Sequence, residues 1–334
     1  MSTIYEIAQM AGTSPKTAAR ILAGGSPRSP SRAVVLECAR KIGYVRNQQA
    51  ANLRTGRSGL IGILVPYIDN PFYTKFLQEM HNALSAASYQ NLIACSFGRE
   101  EHMQASLRLF EIYNIDGLVI DISEGVVSQN TNSLLMQIKK RKRPVIVTGG
   151  LLDGTPYDHF HLNNKGAMSK VVRHLAARGY KTIGFIGGMR DNLNIQNRLN
   201  GLKDALSELN LGICPEWIGL GDPATAAVQQ RAFEMLRNSR RPDAIACTSD
   251  MMAITVIKAA NELGLAVPRD VAVVGFDDIE MASLVTPGLT TVRQPLWVMA
   301  RDIASLLVQS QARTNKLDLL EKHYETELII REST

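Results

Sequence analysis

Residues 3–22 read TIYEIAQMAGTSPKTAARIL, and this stretch fixes the fold of the N-terminal part of the chain as two short helices around a tight turn. Thr3 followed three residues later by Glu6 is a capping box, in which each side chain satisfies a backbone N–H that the helix start leaves free. Ser14-Pro15 repeats the signal: serine accepts from the free helical N–H groups, and the fixed φ of proline suits a first helical position. Between them Gly12 meets the need of a tight turn for a residue without Cβ restrictions. Ala8, Ala11, Ala18, Ile21 and Leu22 supply small apolar contacts. Working outward, Ser29-Pro30 is expected to cap a third helix, so that the three run over roughly 4–11, 15–22 and 31–42. Residues 1–58 carry nine Lys and Arg against only Glu6 and Glu37, a balance of +7, so within a total of +6 the rest of the chain is close to −1. A small basic module on a near-neutral body is the charge pattern of a protein that meets phosphate at one end.

From Leu60 the pattern changes. Apolar runs LIGILV (60–65), NLIACS (91–96), GLVIDI (117–122), PVIVTG (144–149), TIGFIGG (182–188), AIACTS (244–249) and VAVVGF (271–276) alternate with helical stretches. Continuous β-branched runs between helices indicate parallel strands covered on both faces. There are more of them than one sheet of usual size holds, and they repeat on both sides of a polar stretch near 157–165, so two doubly wound lobes with a cleft between them are expected. The expected boundaries are 1–46 for the helical domain, 47–58 for a hinge and linker, and 59–334 for the α/β body. Lobe one takes about 59–160 and 291–320, and lobe two about 161–290 and 321–334.

Composition and motifs narrow the function classes. No run approaches 18 uncharged apolar residues, so no membrane span is expected. The opening MSTIYEIAQMAG carries Glu6 where a secretory leader would need a basic start and an apolar block, which places the protein in the cytoplasm. Cys38, Cys95, Cys214 and Cys247 form no CxxC pair and read as small apolar fillers. His159 and His161 alternate on one strand with no third ligand nearby, so no metal is expected, and no cofactor. The run KKRKR (139–143) falls at a helix C-terminus, where cations favour the dipole. There is no G-x-S-x-G, Walker or G-x-G-x-x-G motif, which argues against an enzyme.

Residues 3–22, with KIGYVRNQQAANLRTGRSGLIGILVP (41–66), resemble the DNA-binding half of the lactose repressor family of bacterial transcription regulators. The resemblance runs on through IDNPFY (68–73), NNKGA (163–167), HLAARGYKTIGFIGG (174–188), NRLNGL (197–202), SDMMAI (249–254), GFDDIEMASLVTPGLTTVRQP (275–295) and ELIIREST (327–334). It implies an all-α helix-turn-helix headpiece, a two-lobed body like the periplasmic binding proteins, and a repressor of carbohydrate or sugar-acid catabolic genes controlled by a small effector. In that family the second helix lies in the major groove. Thr3, Ser14, Pro15, Lys16, Thr17 and Arg20 are then the headpiece residues expected at DNA, with Lys16 and Thr17 within reach of base edges and Arg20 on guanine or phosphate. Asn47–Arg54 is too short and polar to persist as a lone helix. The resemblance implies that it orders on DNA beside its dimer mate, with Asn47, Ala50 and Arg54 at the duplex and Leu53 wedged into a minor-groove step.

Strand ends facing the cleft are the expected effector site. Asp69, Asn70, Phe72 and Tyr73 follow the first strand, Asp121 ends the third, Asn192 and Asn194 precede Arg198, and Ser249, Asp250 and Asp277 follow later strands. Arg198 matches the effector-clamping arginine of the family. Carboxylates, amides and a guanidinium suit a ligand dense in hydroxyl groups, and Arg198 with two asparagines would equally suit the carboxylate of a sugar acid. Asp222-Pro223 stands where many relatives carry a stacking aromatic. A sugar-binding transport protein would share the body without the basic headpiece, and a protein such as a phosphocarrier would be an alternative co-regulator. The expected assembly is a homodimer on a near-palindromic operator, because IIREST is followed by no apolar heptad that would zip dimers together.

Overall fold

Thr3 and Glu6 form the capping box that their spacing requires, with Glu6 N–H donating to Thr3 Oγ1 (3.3 Å) and Thr3 N–H to Glu6 Oε2 (3.1 Å). The computed structural model describes residues 3–23, 25, 29–44, 57–123, 127–150, 155–312 and 319–334. It divides them into a unit before Gly59 and a unit from Gly59 to Thr334. In the first, α1 (Ile4–Met10), α2 (Pro15–Leu22) and α3 (Arg32–Lys41) enclose Ile7, Ala8, Ala18, Ile21, Val35, Cys38 and Ala39. Gly12 takes the positive φ of +59° that turns α1 into α2. The start of α3 differs from expectation. It begins at Arg32 behind Ser31, and Ser29 contributes only its carbonyl, which accepts from Arg32 N–H (3.0 Å), so Ser29-Pro30 forms a turn ahead of the helix rather than its cap.

In the larger unit the elements are β1 (Leu60–Val65), α4 (Pro71–Ala86), β2 (Gln90–Cys95), α5 (Glu100–Ile112), β3 (Gly117–Asp121), α6 (Gln129–Lys140), β4 (Val145–Thr148), β5 (Asp158–Leu162), α7 (Asn164–Ala177), β6 (Ile183–Gly187) and α8 (Leu193–Glu208). There follow β7 (Ile218–Leu220), α9 (Thr225–Arg237), β8 (Ala244–Cys247), α10 (Asp250–Glu262), β9 (Ala272–Asp277), α11 (Met281–Leu284), β10 (Thr290–Arg293), α12 (Leu296–Ala312), β11 (Glu321–Tyr324) and β12 (Glu327–Ile329). All seven apolar runs are strands. They lie in two six-stranded sheets, β11-β5-β4-β3-β1-β2 and β12-β10-β9-β8-β6-β7, parallel throughout except for the antiparallel pair β10–β12. Each sheet has a separate apolar cluster on each face, as parallel strands covered by helices must. Among the described residues no helix is long and apolar enough to cross a membrane, and the four cysteines are free thiols. Lys139 and Lys140 occupy the last turn of α6, and Arg143 pairs with the buried Asp116 (2.9 Å).

The chain crosses between the sheets after β5, after β10 and after β11. Two expected boundaries therefore move. β10 (Thr290–Arg293) pairs with β9 in the second sheet, so Thr291–Arg293 does not belong to lobe one, and β11 pairs with β5 in the first sheet, so Glu321–Tyr324 does not belong to lobe two. Both strands have only four residues with polar side chains among them, TTVR and EKHY, too short and mixed to show an apolar pattern in the sequence. The crossings are tied to one another: Asn163 Nδ2 donates to Glu325 Oε1 (2.7 Å), and Lys170 Nζ reaches Glu325 (3.1 Å) and the carbonyl of Thr326 (2.7 Å).

In the second lobe α7 and α8 pack backbone to backbone at Gly201, where a Cβ would stand 2.6 Å from Lys165 Cα. Gly201→Ala should force the two helices apart and cost about 1–3 kcal/mol, read as a fall in the thermal unfolding midpoint. An unchanged midpoint would show that the helix pair yields without cost.

Candidate functional site

Between the lobes lies a cavity of about 480 Å³. Its most consequential side chain is Arg198, on α8 and only 7% exposed. The guanidinium is held on three sides. Nε donates to Asn164 Oδ1 (2.8 Å), Nη1 donates to the carbonyl of Thr248 (2.6 Å), and Cζ sits 3.5 Å from the centroid of the Phe276 ring. Burial pushes its pKa down to about 10, opposed by the nearby Asp277 carboxylate and by Tyr73, so Arg198 is cationic at neutral pH.

Asp277 ends β9 with φ +114°, a conformation that side chains bearing a Cβ rarely adopt. The cause is in its neighbour. Asp278, also at positive φ, is bonded by Arg293 Nε (2.7 Å) and Arg331 Nη2 (2.7 Å), which clamp the strand end and turn Asp277 toward the cavity. Such backbone costs of order 1–3 kcal/mol and persists only where its surroundings over-determine it. Gln294, in the β10–α12 crossing, donates to Asp277 Oδ1 (2.7 Å). Burial holds the Asp277 carboxyl well above the ordinary carboxylate range, against the pull of Arg198.

The first lobe contributes a relay of hydroxyls. Tyr73 Oη meets Ser123 Oγ (2.8 Å), Ser123 donates from its backbone N–H to Asp121 Oδ1 (3.0 Å), and Thr148 Oγ1 donates to Asp121 Oδ2 (3.0 Å). Gly149 makes room for this carboxylate, since a Cβ there would stand 2.6 Å from both oxygens. The lobes already touch across the cleft. Asn194 on α8 donates to the Gly149 carbonyl (2.6 Å) and accepts from Asn164 Nδ2 (3.0 Å), and Phe72 packs on apolar clusters of both lobes.

Of the residues expected at the effector, Asp69, Asn70, Phe72, Tyr73, Asp121, Asn192, Asn194, Arg198, Ser249 and Asp277 line this cavity. Three of them also cap helices: Asn70 accepts from Phe72 N–H, Asn192 from Ile195 N–H and Ser249 from Met252 N–H. Asp250 is a correction. It does not line the cavity; its carboxylate faces the lobe interior, accepting from Ile279 N–H (2.8 Å) and Thr291 Oγ1, because the first turn of α10 directs residue 250 away from the cleft that Ser249 borders. Asn164, Ser123, Thr148 and Gln294 line it as well without being among the expected residues, although Asn164 and Gln294 stand in NNKGA and VRQP, and Phe276 backs Arg198 from the core. His161 also lines the cleft, its ring stacked on His159 with centroids 5.4 Å apart. In the headpiece Ser14, Pro15, Lys16 and Arg20 are exposed, and Ser14 Oγ receives Thr17 N–H (3.2 Å). Asn47, Ala50, Leu53 and Arg54 lie outside the described residues.

A three-helix headpiece and a cleft between two parallel α/β lobes define a ligand-binding regulator with a helix-turn-helix module. Comparison with known proteins agrees. Residues 172–334 match the model of the periplasmic binding protein-like domain. The HTH-type transcriptional repressor PurR of Proteus mirabilis is 30% identical over 299 residues, 88% of this chain and 86% of that one. The repressor CytR of Escherichia coli K12 is 26% identical over 336 residues, 100% of this chain and 96% of that one. A Lac repressor dimer bound to operator and an anti-inducer has the same fold, with TM-score 0.86, 22% identity and coverage of 99% and 98%. The chain belongs to the LacI family of bacterial transcription repressors. It is a transcription regulator and not an enzyme.

Asp250 offers a pH test of the second lobe. Burial, partly offset by the bonds from Thr291 and Ile279, raises its carboxyl from 3.8 to about 7. Between those values the folded protein keeps a proton that the unfolded chain has lost, so this group's contribution to stability falls as pH rises, by at most about 1.4 kcal/mol per pH unit. Asp250→Asn should flatten the loss of stability between pH 5 and pH 7.5 in urea unfolding; an unaltered slope would exclude Asp250 as its source.

Proposed function

We propose that the protein is a cytoplasmic homodimeric repressor that reads near-palindromic operator DNA with α2 and is released or engaged through a small polyhydroxyl effector in the cleft. The observation that carries this reading is the interlobe cavity itself, where Arg198 and Asp277 face each other and Asn194 already bonds the opposite lobe at Gly149. A ligand there touches both lobes, so its binding and the lobe arrangement form one equilibrium. It can shift that equilibrium only by its differential affinity for the two arrangements. The control of genes for carbohydrate use, and the hinge at Asn47–Arg54 as the element that couples cleft to DNA, belong to the same proposal.

The DNA side rests on Lys16 and Arg20, both exposed on α2 in a unit with a balance of +7. Ser14 and Thr3 act first as caps that fix the helices, while the exposed Pro15 and the half-buried Thr17 complete the start of α2. Assembly as a dimer has its support in the Lac repressor dimer solved on operator; sedimentation as a tetramer without DNA would contradict it.

Two sets of substitutions test the proposal by operator affinity in fluorescence anisotropy at fixed salt. Lys16→Ala and Arg20→Ala should each weaken operator binding by about 1–3 kcal/mol while affecting random DNA less. Equal losses on both would reduce them to phosphate contacts. Arg198→Ala and Asp277→Ala should leave effector-free operator affinity near wild type and abolish its change on adding effector. A full response in either variant would remove that residue from the site.

A further inference from the structure

The basic run Lys139–Arg143 has no part in the function proposed above. The body from residue 59 carries about −1, so outside these five residues it stands near −6. A helix dipole accounts for cations in the last turn, which here are Lys139 and Lys140. Arg141 and Lys142 lie beyond that turn, and with Lys140 they are exposed. Among the described residues Lys139, Lys140 and Lys142 pair with no carboxylate, and Arg141 reaches Glu111 at 3.7 Å with its own side chain 58% exposed.

The backbone at Lys142 is a second observation. Its φ is +61°, the left-handed conformation that closes a helix end and favours glycine or asparagine. Other helix ends of this chain place Gly12, Gly43, Asn114, Gly179, Asn210 and Gly264 there. At the end of α6 a long cationic side chain stands against that backbone preference, which is the mark of a position held for something other than the turn.

The location supplies the reason. Asp116, whose side chain is fully buried, accepts from Gly59 N–H through Oδ2 (2.8 Å) and from Arg143 Nη1 through Oδ1 (2.9 Å). The basic loop and the residue where the chain enters the body thus share one carboxylate. DNA held by the N-terminal unit is tethered to the body at this point, and a tether raises the local concentration of phosphate until individually weak contacts count. The effector cleft is at the other end of the same strands: Asp116 precedes β3 and Asp121 ends it, while Pro144 precedes β4 and Thr148 ends it.

We propose that Lys140, Arg141 and Lys142 form a second DNA contact, on lobe one rather than on the headpiece, which binds the phosphate backbone and reads no bases. It rests on the reading of α2 as the operator-binding helix. Long cationic side chains at the surface suit such a contact, because each can meet a phosphate as a charge without fixed geometry.

The test uses the full-length protein, an operator duplex obtained with it by in vitro selection and a random duplex of equal length. Affinities are read by fluorescence anisotropy between about 0.05 and 0.3 M salt. Lys140→Gln with Arg141→Gln and Lys142→Gln should weaken both duplexes alike, at least about tenfold at ~0.1 M salt, and lower the salt slope by about two, one phosphate for each protomer. The control removes equal charge from lobe two, by Lys181→Gln with Arg240→Gln and Arg241→Gln, all exposed ahead of β6 and β8, and should change neither quantity. Lys142→Gly, which suits the left-handed backbone, should weaken both duplexes without lowering the thermal unfolding midpoint. Unchanged affinity and slope in the triple variant, or an equal change in the control, would overturn the proposal. So would a loss confined to the operator, since a phosphate contact is blind to sequence. These outcomes leave the reading of α2 standing as long as Lys16→Ala and Arg20→Ala weaken operator binding; if neither does, that reading fails whatever the triple variant shows.

Discussion

A guanidinium taken out of water is the constraint around which the cleft is organised. Burying such a charge costs several kcal/mol unless it is paired and hydrogen-bonded. Arg198 is paid for locally by Asn164, the Thr248 carbonyl, the face of Phe276 and the field of Asp277. Each of these draws in another part of the fold. Asn164 begins α7 just after the first crossing, Thr248 follows β8, and Phe276 and Asp277 end β9. Asp277 is in turn held by Gln294 and by the clamped Asp278, which recruits β10 and the segment after β12 through Arg293 and Arg331. The two acceptors of the guanidinium, Asn164 Oδ1 and the Thr248 carbonyl, both border the cavity, where water can replace the donor if the side chain is removed.

The fold was largely legible because its strands are buried on both faces. LIGILV and VAVVGF contain nothing polar, and a run of that kind between helices has few alternatives. The headpiece was legible for another reason: Thr3 with Glu6 and Ser14 with Pro15 are local signals that need no tertiary context. What failed were elements whose identity depends on a distant partner. β10 and β11 are strands because β9 and β5 lie beside them, and EKHY alone gives no sign of which sheet it will join.

The site was legible at its charged members and less so at its polar ones. Arg198 and Asp277 announced themselves through resemblance and position. Asn164, Ser123 and Gln294 did not, since a short amide or hydroxyl after a strand is as common in a turn as in a binding site. Asp250 is illegible because it stands next to Ser249 at the same strand end, yet the two face different ways. A helix start separates them by about 100° around its axis. Serine faces the cleft and aspartate the core, and nothing in the dipeptide distinguishes the two.

The three crossings carry a consequence for how far each part of the body moves. Asn163, Gln294 and Glu325 stand at or beside the segments about which one lobe would pivot on the other, and two ligand-side groups, Asn164 and Gln294, lie within that pivot. Points near a pivot travel little for a given rotation, while points at the far rim travel in proportion to their distance from it. The innermost grip on a ligand can therefore stay nearly constant in length through a swing that carries Asp69 and Asp222 through a much wider arc. If the lobes turn about these crossings as the proposed regulation requires, the body works as a lever with its fulcrum beside the ligand, and a small difference in fit there becomes a larger displacement at the far rim.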